Sequence, residues 1–292
     1  MDHRQLTFLV ALARERHFGR AAKACHVTQP TLSARLQQLE EELGTSLIRR
    51  SRRFEGLTPE GQRVLAHAHR ILDEFDALRA DVGPDTAPSG CLSLGVIPSA
   101  LHALDTHLPA LRNAFPRLRL RIRELATSAL AQGLEDGSLD LVMGYTDAPA
   151  MAGYAYRELY RERPALIASP AHFSLPETPR WQALDQWPLC LLTPEMEHRK
   201  RLETRLAGHG LSVAPVVETN SITTLEVMLR SGVGVSVLPA HFGEHFTNGS
   251  PLDVRLLPGD GDRIGLLWHA TRSPSRRLQA ALSLWQSAAD LT

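Results

Sequence analysis

Apolar residues recur at three- and four-residue steps through the first 82 positions, the period of helices with one buried face. Leu6, Leu9, Val10 and Ala13 share one side of a helix expected over residues 1–14. A second, short helix is expected over residues 18–25, FGRAAKAC, where Ala21 and Ala22 leave room for a close neighbour. In the third, over residues 29–43, Leu32, Leu36, Leu39 and Leu43 fall on one arc. Thr28 stands at its N-cap, Pro30 in the first turn where a missing N–H costs nothing, and Gly44 at its far end. Gln29, Pro30, Thr31, Ser33, Ala34, Arg35 and Gln37 make up its opposite, polar side. Only HVT separates the second helix from the third, so the pair reads as a helix-turn-helix covered by the first.

A longer helix begins at Thr58, Pro59 and Glu60. Its stripe of Val64, Leu65, Ala68, Ile71, Leu72, Phe75, Leu78 and Val82 runs to Gly83 and Pro84. No second apolar helix adjoins it in sequence, so the stripe packs on its own chain or on another copy. GPDTAPSG, residues 83–90, reads as a hinge. Beyond it, short apolar runs alternate with helical segments: CLSLGVI, LRLRIREL, LDLVMG, ALIAS, LCLLT, PVVET, VGVSVLP and RIGLLWH are strand candidates. Helices are expected near residues 101–114, 128–135, 195–207, 221–231 and 274–289. That alternation implies a mostly parallel, doubly wound α/β body with helices on both faces, and about two hundred residues suffice for two subdomains.

Charge sharpens this division. The 292 residues carry 32 Lys and Arg against 32 Asp and Glu, yet residues 1–57 hold ten basic side chains and six acidic ones. Arg49, Arg50, Arg52 and Arg53 cluster in IRRSRRFEGLT, a two-stranded wing with Gly56 in its turn. A basic wing beside a polar helix tip suits phosphate contacts that position a protein on a duplex, while Gln29 and Ser33 reach base edges.

The segment FLVALARERHFGRAAKACHVTQPTLSARLQQLEEELGTSLIRR, followed by LTPEGQRVL, resembles the LysR-type transcriptional regulators. The resemblance implies a winged helix-turn-helix DNA-binding domain over residues 1–57 and a dimerising linker helix and hinge over residues 58–87. It also implies a two-lobed effector-binding domain over residues 88–292, similar to periplasmic solute-binding proteins. Lobe 1 is expected at about 88–162 and 263–292, lobe 2 at about 163–262. Partners implied are double-stranded promoter DNA, a small-molecule effector, RNA polymerase, and the chain itself as homodimer or homotetramer. The DNA-binding residues carried over are Gln29, Pro30, Thr31, Ser33, Arg35, Arg49, Arg50, Arg52 and Arg53. Relatives often place Arg after the helix serine, whereas here Ala34 follows Ser33 and Arg35 comes one place later.

Ligands of doubly wound sheets bind at the carboxyl ends of strands. Those ends carry Pro98, Ser99 and Ala100, Thr127 and Ser128, Gly144 and Tyr145, then Thr193 and Pro194, and Asn220 and Ser221. Arg199 and His102 are expected to add positive charge, so a small organic or inorganic anion is the expected effector. The same hydroxyls also suit plain helix caps; the resemblance, which implies an effector site at these junctions, favours binding.

No cofactor and no metal is expected. HFGEH, residues 241–245, matches an inverted zincin pattern but lacks a third ligand and precedes turn residues, so a solvated helix end is expected. The sequence carries no glycine-rich phosphate loop and no nucleophile elbow, which leaves a hydrolase as a weaker reading from another class. A transport-type binding protein would carry a signal peptide or membrane span; the opening MDHRQLTFLVALARERH fits neither, and a cytoplasmic protein is expected. Cys25, Cys91 and Cys190 are far apart and odd in number, as for buried free thiols.

Overall fold

The computed structural model describes residues 1–50, 54–82, 88, 90–245, 251–271 and 274–289. In the head, α1 (His3–Glu15) starts in a capping box between Asp2 and Gln5. Next come α2 (Phe18–Ala24) and α3 (Gln29–Leu43). The turn between them closes because His26 takes a left-handed conformation, φ 56°, and Val27 N–H donates to the Ala22 carbonyl. Leu32, Leu36 and Leu39 are buried as the periodicity requires. Leu43 is 40% exposed, a correction to the leucine row, because the α3 end projects past the helices it packs on.

The wing is β1 (Ile48–Arg50) paired antiparallel with β2 (Phe54–Leu57). Gly56 pairs with Arg49 inside the ladder rather than forming the turn, because the strands converge beyond it. Arg52 and Arg53 lie outside the described residues. Glu40, on α3, anchors the wing by accepting the Leu47 and Ile48 amides at 2.8 and 3.0 Å.

The linker α4 (Pro59–Val82) is capped by Thr58, whose hydroxyl accepts the Gly61 amide at 2.9 Å. Its stripe divides. Val64, Leu65, Ala68, Ile71 and Leu72 pack into the head's core, so the linker's first half belongs to its own chain. Phe75 and Leu78 stay 43% and 57% exposed.

The body holds two sheets. The chain runs β3 (Gly90–Val96), α5 (Ala103–Ala114), β4 (Leu118–Glu124), α6 (Thr127–Asp136), β5 (Leu141–Tyr145) and β6 (Ala155–Glu162). It then crosses to β7 (Pro164–Ala168), β8 (Cys190–Leu192), α7 (Glu197–Gly208), β9 (Val217–Thr219), α8 (Ile222–Arg230), β10 (Ser236–Pro239), α9 (Phe242–His245) and β11 (Asp253–Leu256). It returns through β12 (Asp262–Trp268) and ends in α10 (Arg276–Ala289). The first sheet is ordered β4-β3-β5-β12-β6. In the second, β10-β7-β11 adjoins β8-β9 through a bridge from Leu189 to Val235, repeating the same logic of strand order.

Both sheets are mixed, which corrects the expectation of a mostly parallel body. The pairs of β3 with β4 and β5 and of β8 with β9 are parallel, while β12 and β7 pair antiparallel with their neighbours. The connecting strands β6 and β11 escaped prediction. AYRELYRE and DVRL are half-polar because they lie on sheet edges, and such a pattern has no apolar run to betray it.

A Cβ on Gly61 would stand 2.0 Å from the Leu47 carbonyl oxygen, whereas one on Gly208 meets nothing within 4 Å. Gly61→Ala is expected to cost about 1–3 kcal/mol despite alanine's higher helix propensity. The check is faster hydrogen exchange at Thr58, whose amide donates to that carbonyl at 2.9 Å, with Gly208→Ala as the tolerated control.

Candidate functional site: the reading helix and the interlobe cleft

The first turn of α3 is presented to solvent. Gln29, Pro30 and Thr31 are exposed and Ser33 is half-buried. Thr28 accepts the Thr31 amide and the two hydroxyls lie 2.8 Å apart, which fixes the tip's conformation. Arg49 is exposed, with its guanidinium lying against Gly56. Arg35, also exposed, leans toward the start of α1, 3.6 Å from Asp2, and donates to Gln38 at 3.3 Å. Tip and basic strand share one small body, since α3 and the wing both bury side chains in the head's core.

The second feature is a narrow cleft between the two sheets. Lobe 1 contributes Ile97, Pro98, Ser99, Ala126, Thr127 and Tyr145; lobe 2 contributes Leu192, Met196, Glu197, His198, Ile222, Leu238, Pro239 and Phe242. Thr127 is 5% exposed and its Oγ1 has no hydrogen-bond partner. His198 shares Nε2 with the Val237 carbonyl at 3.0 Å, and burial lowers its pKa, so the ring is neutral. The carbonyl accepts, so Nε2 carries the proton and Nδ1 is a lone-pair acceptor, itself without a partner. Ser99 Oγ lies 3.5 Å from Tyr145 Oη.

Ser99 and Thr127 thus meet the expectation in position, together with Pro98 and Tyr145. The other expected effector residues stand elsewhere. Ala100 and Gly144 are buried behind the wall, and Ser128 and Asn220 are exposed. Ser221 caps α8 by accepting the Thr224 amide at 3.3 Å, and Thr193 donates to Glu195 at 2.7 Å.

The largest correction is Arg199. Its guanidinium is 5% exposed, donates to the Leu192 carbonyl at 2.8 Å and to Glu218 at 2.7 Å, and pairs with Glu203 at 2.9 Å. It fastens α7 to the second sheet and gives the cleft no charge. His102 turns Nδ1 to the Ser99 carbonyl at 2.9 Å and stacks at 3.6 Å on His241. His241 brings Nε2 within 3.0 Å of the same carbonyl, so the HFGEH segment begins as a contact between lobes rather than a solvated end. Among the described residues no group of side chains could hold a metal ion.

At the cleft's back the two crossing strands meet, with Glu162 paired in register with Asp262. Asp262 receives two of the three arginines of α7: Arg201 at 3.0 Å and Arg205 at 2.7 Å. Arg201 also reaches Asp147 of lobe 1 at 2.7 Å and lies 4.2 Å over the Tyr145 ring. Burial alone would raise the Asp262 pKa; the two guanidiniums more than offset it and hold the carboxyl below its usual range. Glu162, 2% exposed, forms no comparable ion pair among the described residues, and burial outweighs the more distant Arg201 and pushes its pKa up to about 8. Sequence reading missed this cluster, because its acids and arginines sit about sixty residues apart and no local pattern joins them.

With this geometry in place, comparison with known proteins gives the class. Residues 3–62 match the bacterial regulatory helix-turn-helix protein, lysR family, and residues 85–290 match the LysR substrate binding domain. The chain belongs to the LysR family of bacterial transcriptional regulators. It is 32% identical over 250 residues, 82% of this chain and 79% of the relative, to the DNA-binding transcriptional dual regulator OxyR of Escherichia coli. It is 30% identical over 288 residues, 95% of this chain and 87% of the relative, to the HTH-type transcriptional regulator CfxR of Cupriavidus necator. A full-length OxyR variant from Pseudomonas aeruginosa superposes with a TM-score of 0.77 at 28% identity, covering 99% of this chain and 98% of that one.

Glu162 sets a pH dependence of known sign. Its folded pKa is above the unfolded value, so the folded state binds the extra proton, and stability falls as pH rises from about 5 to about 8, by roughly 1.4 kcal/mol per unit at steepest. The histidines His107 and His198, whose pKa values are lowered by desolvation, act in the opposite sense at lower pH. Glu162→Gln therefore isolates the effect: urea denaturation should show its stability rising relative to wild type across that window and level above it.

Proposed function

We propose that this regulator binds promoter DNA through the exposed tip of α3 and the wing, and answers to a small molecule held in the interlobe cleft. The observation that carries the DNA half is the rigid, uncharged tip of Gln29, Thr31 and Ser33 set beside an arginine-bearing strand. Gln29, Pro30, Thr31, Ser33 and Arg35 address the groove, and Arg49, Arg50, Arg52 and Arg53 the phosphates. The domain division is head 1–57, linker and hinge 58–87, and effector domain 88–292, in two lobes of about 88–162 with 263–292 and about 163–262. Homodimers form through the exposed Phe75 and Leu78 of α4, pair further as homotetramers, and present two heads to a pseudo-palindromic site. The protein acts in the cytoplasm, contacts RNA polymerase at the promoter and catalyses no reaction of its own; no described helix is long and apolar enough to cross a membrane.

Ligand binding shifts the balance between two lobe arrangements by no more than its differential affinity for them. The cleft joins residues from both lobes, so closing it on a ligand moves α7 and the Arg201 bridge with it.

Several relatives are named hydrogen peroxide-inducible genes activators, which brings a second reading, thiol oxidation. Three observations favour ligand binding instead. None of the three cysteines lines the cleft. Cys91 lies on β3 and Cys190 on β8, in different sheets. Burial raises the pKa of the Cys25 and Cys190 thiols, which keeps them protonated and weakly nucleophilic.

Electrophoretic and fluorescence titrations on duplex DNA test the first half. Arg49→Ala should weaken binding to all sequences alike and reduce the salt slope by about 1 per subunit. Gln29→Ala should cost about 1–3 kcal/mol on the preferred site and little on random duplex. Equal losses on both DNAs for Gln29→Ala would remove the base-reading role. For the second half, the variant Cys25→Ser, Cys91→Ser, Cys190→Ala should keep the regulatory response in full, and loss of that response would favour thiol chemistry.

A further inference from the structure

The cleft contains polar atoms that the protein itself leaves unanswered, and their chemistry restricts the occupant. Thr127 Oγ1 on lobe 1 can donate or accept, and His198 Nδ1 on lobe 2 can only accept; both are buried without partners. A buried polar atom without a partner costs free energy, so each favours a ligand that completes it. Beside Thr127, α6 opens without a side-chain cap, so its first N–H groups add donors for an acceptor oxygen.

Charge runs against an anion. The ionisable carboxylate on the cleft lining is Glu197, in the first turn of α7, where it already answers that helix's positive end. The nearby cations are committed: Arg199 to Glu218 and Glu203, and Arg201 to Asp147, Asp262 and Glu197. Apart from the Ser99 and Tyr145 hydroxyls, which lie 3.5 Å apart, the remaining walls are apolar, with Phe242 and Ile222 closing one side. A carboxylate entering this space would lose its hydration, meet Glu197 and find no free guanidinium among the described lining residues.

We infer that the effector is a small uncharged molecule with an apolar body and a neighbouring donor and acceptor, such as a neutral amide, that bridges Thr127 of one lobe and His198 of the other. This rests on the cleft being the effector site, as proposed above. The ligand's carbonyl accepts a hydrogen bond from the Thr127 hydroxyl, and its N–H or O–H donates one to His198 Nδ1. Because the two partners stand on opposite lobes, the ligand ties the lobes together only when both groups are present on one molecule.

Isothermal titration of the full chain with matched pairs, benzamide against benzoate and isobutyramide against isobutyrate, tests the inference. Within at least one pair the amide should bind at least tenfold more tightly than its carboxylate. Thr127→Val and His198→Phe should each weaken the amide at least fivefold. A carboxylate binding as well as or better than its amide in both pairs, and lost in Thr127→Val, would overturn the uncharged class and leave the cleft standing as the site. Amide or carboxylate binding unaffected by both substitutions would place the ligand elsewhere and overturn the cleft reading as well. No amide binding would overturn the inference as stated.

Discussion

The body depends on how it accommodates buried carboxylates where the chain crosses twice between sheets. Asp262 opens the returning strand opposite Glu162, which ends the outgoing one. Two adjacent carboxylates away from water are stable only if one is paired and the other takes up a proton. Arg201 and Arg205 pair Asp262, and Glu162 is left to protonate. Since both arginines belong to α7 of lobe 2 while Asp147 belongs to lobe 1, the same ion pairs that solve the charge problem also link the two lobes.

That constraint shapes the cleft. Arg201 is drawn over Tyr145, and the α7 start, with Met196, Glu197 and His198, becomes the facing wall. The cations nearest the cavity are used up in structure, and what remains is a mainly apolar space edged by the Ser99, Thr127 and Tyr145 hydroxyls, the Glu197 carboxyl and the neutral His198 imidazole. On the proposed reading, a ligand's affinity there comes from dispersion, desolvation and paired hydrogen bonds rather than from ionic attraction.

In the head the governing interaction is different. Leucine packing behind α3, the left-handed turn at His26 and the Glu40 contacts to the wing fix tip and basic strand in one rigid unit. The linker's first half is fused to that unit through Val64, Leu65 and Ala68.

The head was legible in sequence because its determinants are local. Caps, a three- and four-residue apolar period, and a proline and glycine at the ends of α3 each act over a few positions. The body's alternating strands were legible for the same reason, as was the presence of Ser99 and Thr127 at strand ends. Strands β6 and β11 were hidden because edge strands need no continuous apolar run. The role of Arg199 was misjudged because position on a helix says nothing of which carboxylate lies across from it. Only the tertiary structure brings Glu218 to Arg199 and Asp262 to Arg201, and pair energies at such long sequence separations follow from distance and burial, which no local pattern encodes.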